Sequence, residues 1–148
     1  MATRSKPAMA AVAVAGFILI PTLGAVRTHP DLHTPELAQL SAWARSSTPR
    51  DAVFLFPDAG KQLYPGIFRS EAQRAVYVDW KGGGQVNYLP QFGEQWWSRW
   101  QIANQLLSPA EYRKIGIDYL VVRPGSFEPG VNVPVFTNSQ FVVFRLQT

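Results

Sequence analysis

The feature that most constrains this chain is an uncharged stretch from Pro7 to Val26, bounded by Lys6 and Arg27. It contains Ala-Val-Ala-Val-Ala-Gly-Phe-Ile-Leu-Ile, followed by Pro-Thr-Leu-Gly-Ala-Val. A helix of about 20 such residues, rising 1.5 Å per residue, matches the hydrocarbon core of a bilayer. The sequence therefore predicts a transmembrane helix within residues 1–27, preceded by a short cytoplasmic tail. Arg4 and Lys6 on the N-terminal side place that tail inside and everything after Arg27 outside. Pro21 would kink the helix, a kink that a neighbouring membrane helix could accommodate. The same segment also reads as a signal peptide, with Arg4 and Lys6 as its basic region, Ala10 to Ile20 as its apolar region and cleavage after Ala25. Leu23 then occupies a position that favours a small residue. Either way, the rest of the chain is exported.

Residues 28–34, Thr-His-Pro-Asp-Leu-His-Thr, form a polar linker, and residues 35–148 form the globular domain. Thr34-Pro35-Glu36 is a helix start, because Thr can accept an orphan N–H and Pro suits the first helical position. Leu37, Leu40 and Ala44 give that helix a buried stripe, and Pro49 stops it, so it runs to about Ser46. The short apolar run Ala52 to Pro57 fits a strand covered on both faces. A single irregular helical turn is expected around Ile67 to Glu71, after the break at Pro65-Gly66. A second strand spans Ala75 to Asp79, and Gly82-Gly83-Gly84 then forbids regular structure.

Phe92, Trp96, Trp100, Ala103 and Leu107 recur at helical spacing and predict the longest helix, sustained for more than four turns. Trp96 and Trp100 fall on its core stripe, whereas Trp97 lies off it and is the better candidate for an interface. Ser108-Pro109-Ala110-Glu111 is a capping box opening a short helix that Gly116 ends. A third strand covers Ile117 to Val122. Val133 to Phe136 and Phe141 to Leu146 form a closing hairpin around residues 137–140. The expected fold class is α/β: a small mixed sheet of three parallel strands plus a C-terminal antiparallel hairpin, with helices packed on it and one transmembrane helix before it.

Composition narrows the chemistry. The chain has no cysteine, which removes disulfides, thiolate nucleophiles and the usual structural zinc sites. Its net charge of +4 is scattered rather than gathered into a basic stripe, so nucleic acid is not an expected partner. Both histidines sit in the linker, where His29, Asp31 and His33 alternate on an extended strand. That spacing permits chelation but supplies no fourth ligand, so no metal is expected, and no cofactor motif is present. The triple glycine lacks both the P-loop ending and dinucleotide-fingerprint spacing.

In a parallel sheet, ligands bind beyond the carboxyl ends of the strands. Those ends carry Asp58, then Asp79, Trp80 and Lys81, then Arg123. If they converge, they form a ligand-binding site for an anionic or hydroxyl-rich molecule. The plainer alternative is a set of surface ion pairs worth at most ~1 kcal/mol each. A hydrolase reading would require Asp58 and Asp79 to act together.

The run from Glu36 to Pro57, with Phe68-Arg69, Arg74 to Lys81, Trp96-Trp97-Ser98-Arg99-Trp100, Ile117 to Val122 and Phe141 to Arg145, resembles the C-terminal soluble domain of bacterial polytopic membrane proteins related to the GT-C glycosyltransferases. The resemblance covers roughly residues 30–148. It implies an extracytoplasmic domain following a last membrane helix, here Pro7 to Val26, and adds Arg69 to the ligand-binding set. The catalytic carboxylates of that class lie between earlier membrane helices that this chain does not contain, so no catalytic residue is carried over. What the resemblance implies is a noncatalytic accessory domain at the outer face of the bacterial inner membrane. It would bind partner membrane helices, a glycan or a lipid-linked sugar. An exported domain binding a carbohydrate or an anionic small molecule is the alternative.

Overall fold

In a computed structural model of the protein, residues 6–22, 32–85, 87–105, 107–126 and 133–146 are described. The chain divides into two compact units, Met1–Pro30 and Asp31–Thr148. In the first, α1 spans Lys6–Thr22. Among the described residues, no helix is long and apolar enough to cross a membrane. The described part of the expected transmembrane helix is a helix of 17 residues. Such a helix rises about 25 Å, short of the ~30 Å core. It already includes the charged Lys6, and residues 23–27 of the expected span lie outside the described part.

In the second unit, α2 (Pro35–Ser47) starts as its sequence dictates: the Thr34 hydroxyl accepts from the Leu37 N–H at 3.2 Å, with Pro at the opening position. The strands are β1 (Val53–Leu55), β2 (Ala75–Val76), β3 (Tyr119–Val122), β4 (Phe136–Thr137) and β5 (Val142–Arg145). They form one sheet in the order β2-β1-β3-β5-β4. β1 pairs in parallel with β2 and with β3, while β5 pairs antiparallel with β3 and with β4. The longest ladder is the antiparallel one, from Tyr119 opposite Arg145 to Val122 opposite Val142. The expectation of three parallel strands plus a hairpin misses this ladder. The hairpin docks along β3, which therefore has one parallel and one antiparallel neighbour.

Because strand side chains alternate between faces, the sheet builds two cores. Phe54, Phe56, Tyr119, Val121 and Val143 pack with Leu37, Leu40 and Ala44 of α2 and Phe68 of α3 (Tyr64–Ala72). Leu55 and Leu120 pack on the opposite face with Ala103 of α4 (Pro90–Ala103) and Tyr112 of α5 (Pro109–Lys114). The result is a three-layer α/β/α domain. Phe54, Phe68, Leu37, Leu40 and Tyr112 are fully buried, and each such side chain contributes about 1.5–3 kcal/mol through removal from water. Phe54 stacks on Tyr119 with ring centroids 4.7 Å apart.

The strands are shorter than in the sequence reading, β2 being Ala75–Val76 rather than Ala75 to Asp79, and other elements differ as well. Helix α3 runs through Pro65-Gly66, because Pro65 lies in its first turn, where a missing N–H costs nothing. The glycine run is not irregular: Lys81–Gln85 is a 3₁₀ helix, held first by Gly83 N–H to Trp80 O at 3.1 Å. Helix α4 ends at Ala103 rather than continuing to Leu107, since the Asn104 side chain and backbone both bond the Trp100 carbonyl. The capping box of α5 is present, with Ser108 and Glu111 bonded reciprocally.

Arg74 fixes where β2 begins. Its buried guanidinium donates to Arg45 O at 2.7 Å, Thr48 O at 2.8 Å, Thr48 Oγ1 at 3.0 Å and Gln73 O at 3.0 Å. A buried cation here is matched to the carbonyl ends of α2 and α3, where the helix dipoles are negative. Tying those ends together sets the direction in which the chain leaves toward Asp79.

Candidate ligand-binding site

The polar residues beyond the strand ends fall into two groups. In the first, the Asp58 carboxylate follows β1 and accepts from the Arg123 N–H at 2.7 Å and from the Ser126 hydroxyl at 2.7 Å. The Arg123 Nε lies 3.5 Å from the same oxygen, and the Tyr64 hydroxyl donates to the other at 3.5 Å. Asp58 thereby stitches the end of β1 to the end of β3. Burial pushes the Tyr64 phenol well above its ordinary range, and the nearby Asp58 charge pushes it further, against a smaller opposing effect of Arg123. This is a structural knot, with its hydrogen-bond capacity turned inward.

The second group forms where β2 leads into the 3₁₀ helix. Asp79 is 4% exposed and accepts from Arg69 Nη1 of α3 at 2.7 Å and from the Gly82 N–H at 2.7 Å. Its backbone carbonyl accepts from the Trp96 indole N–H at 2.9 Å. One residue therefore holds α3, the glycine turn and α4 together. The Arg69 side chain remains half exposed. The Gly83 backbone lies against the face of Trp96: a Cβ built there would stand 2.5 Å from the ring. Only glycine lets the turn approach so closely.

Trp80 is 37% exposed and packs against the stacked pair Trp96 and Trp100, with ring centroids 6.0 and 5.4 Å away, and Lys61 Nζ sits 4.8 Å from its ring centroid. Trp80 and Trp96 wall a cleft of about 610 Å³ that also contains Lys81, Asn87 and the backbone of Gly83 and Gly84. On the other side of the Asp79 turn, a smaller cleft of about 110 Å³ is lined by Arg69, Tyr77, Asp79, Gln95, Trp96 and Arg99.

Of the six residues predicted from sequence, Arg69 and Asp79 meet as an ion pair, and Trp80 and Lys81 adjoin them along the turn. Asp58 and Arg123 meet in the separate knot. Asp58 and Asp79 share no hydrogen-bond partner among the described residues. His33 Nδ1 lies 3.3 Å from Glu71 Oε1, while His29 and Asp31 lie outside the described residues. Sequence reasoning missed Lys61, Gln95 and Arg99. The available signal was helical spacing, since Phe92, Gln95, Trp96 and Arg99 repeat at three, one and three residues along one face of α4. The helical spacing places Trp96 on the core stripe and Trp97 off it. Trp97 is indeed 54% exposed, but the half-buried Trp96 is the side chain that walls both clefts.

Residues 35–103 are similar to a domain of unknown function, DUF6798. Neither a curated protein nor a solved structure matches the chain. The matched stretch runs from α2 through α4 and contains both clefts' tryptophans, Arg69, Asp79 and Lys81, whereas Arg123 lies beyond it.

Proposed function

We propose that the second unit is a noncatalytic binding domain that holds a saccharide ring in the Trp80–Trp96 cleft. The observation that carries this reading is the pairing, in one open cleft, of two indole walls with Lys81, Asn87 and glycine backbone. Sugar rings present apolar C–H faces and a rim of hydroxyls. A site suited to them therefore combines flat aromatic surface with a few polar groups, and a volume near 610 Å³ lies within the range of small-ligand pockets. Lys61, with Nζ 4.8 Å from the Trp80 ring centroid, adds positive charge beside it.

In this reading the domain serves a membrane glycosyltransferase-like system at the outer face of the bacterial inner membrane, with the N-terminal segment as its attachment. The apolar residues from Pro7 to Val26, with Arg4 and Lys6 before them, support that placement. Titrating a panel of soluble mono- and oligosaccharides while following tryptophan fluorescence tests the site. Trp80→Ala should weaken binding about tenfold, the loss expected for one aromatic stacking contact. If no saccharide perturbs the fluorescence, or Trp80→Ala binds as wild type does, the reading is wrong.

A further inference from the structure

The smaller cleft carries a second, chemically different inference. Arg99 has no carboxylate within ion-pair distance among the described residues; its guanidinium instead lies 5.3 Å from the centroid of Tyr77. Arg69, which lines the same cleft, gives one nitrogen to Asp79, whose other carboxylate oxygen accepts from the Gly82 N–H. Asp79 thus holds Arg69 with one oxygen and the glycine turn with the other, and the Arg69 side chain is still half exposed. Arg69, Arg99 and the Gln95 side chain border a cleft of about 110 Å³, with Val76, Val78 and Phe92 as its apolar walls and Asp79 also in its lining. That is far smaller than the Trp80–Trp96 cleft and suits one compact anionic group. Paired planar forks of this kind recognise tetrahedral oxyanions through parallel N–H···O bonds.

We infer that the Arg69–Arg99 cleft binds a single phosphate group, either free or as the phosphoester of a larger molecule. The inference rests on the ordering of this side of the domain as a ligand-binding surface, but not on saccharide binding itself. Trp96 separates the two clefts, so each is tested by its own variant. Heteronuclear NMR of the full chain at low ionic strength, following the arginine Nε–H signals, should show Arg69 and Arg99 shifting together on addition of inorganic phosphate and not of chloride at matched ionic strength. Arg99→Gln should weaken phosphate binding at least tenfold without changing Tm in phosphate-free buffer, and Trp80→Ala should leave it intact. A stronger response to glucose 1-phosphate assigns the group to a soluble phosphoester. A stronger response to phosphatidic acid in phosphatidylcholine vesicles assigns it to a lipid headgroup. Absence of a shift with all three probes, or equal binding by Arg99→Gln, overturns the inference. Loss of saccharide binding with phosphate binding retained would overturn only the saccharide reading.

Discussion

Asp58 and Asp79 are both carboxylates at strand ends, yet their surroundings give them different tasks. Asp58 accepts two strong bonds that join β1 to β3 and a longer one from Tyr64, whereas Asp79 faces the cleft region and orients Arg69. The Tyr64 phenol has a definite pH consequence. Its folded pKa is raised above its unfolded value, so the neutral form is favoured by folding. The stability from Tyr64 is complete below the unfolded pKa near 10 and is lost as pH rises toward the folded value. Urea denaturation at pH 8 and at pH 11 should show wild type losing stability over that interval and Tyr64→Phe losing less. Tyr112, also raised by burial, accounts for part of the remaining loss. An equal decline in both proteins would refute the assignment.

At the level of single elements, the turn after α3 is the clearest strained position. Gln73, with φ 52° and ψ 44°, is the left-handed C-cap of that helix and is exposed. Left-handed backbone costs a non-glycine residue about 1 kcal/mol, and glycine removes that cost at the position just past a helix end. Gln73→Gly should therefore raise stability by several tenths of a kcal/mol to about 1 kcal/mol. Chemical denaturation that shows a loss instead would mean that the Gln73 side chain makes a stabilising contact. The neighbouring Arg74 must be left in place, since its bonds to the ends of α2 and α3 are what hold this turn. At the 3₁₀ turn the constraint is opposite: Gly83 is required because Trp96 occupies the space a side chain would need.

At the scale of the whole molecule, both hydrophobic cores lie within the second unit, and every ladder of the sheet is internal to it. A chain of residues 31–148 should consequently fold cooperatively, with a Tm within a few degrees of the full chain. Calorimetry and amide exchange would check this, and a molten or aggregated product would contradict it. The N-terminal residues are then available for a separate role. Alkaline carbonate washing of membranes containing the full chain, with residues 31–148 as the control, asks whether that role is attachment.

The amino-acid order determined the local features by itself. The Thr34 and Ser108 caps, the stops at Pro49 and Gly116, the apolar runs of β1 and β3 and the helical face of α4 all follow from interactions between residues a few positions apart. Those interactions exist in any context. Tertiary structure alone decided that β5 would lie antiparallel on β3, that the triple glycine would wind into a 3₁₀ helix against Trp96, and that Arg123 would join Asp58 rather than Asp79. It also decided that Arg99 of α4 would lie over Tyr77. Each of these depends on which surface arrives opposite a residue from far along the chain. Hydrophobic periodicity carries which face of an element is buried, but not which partner buries it.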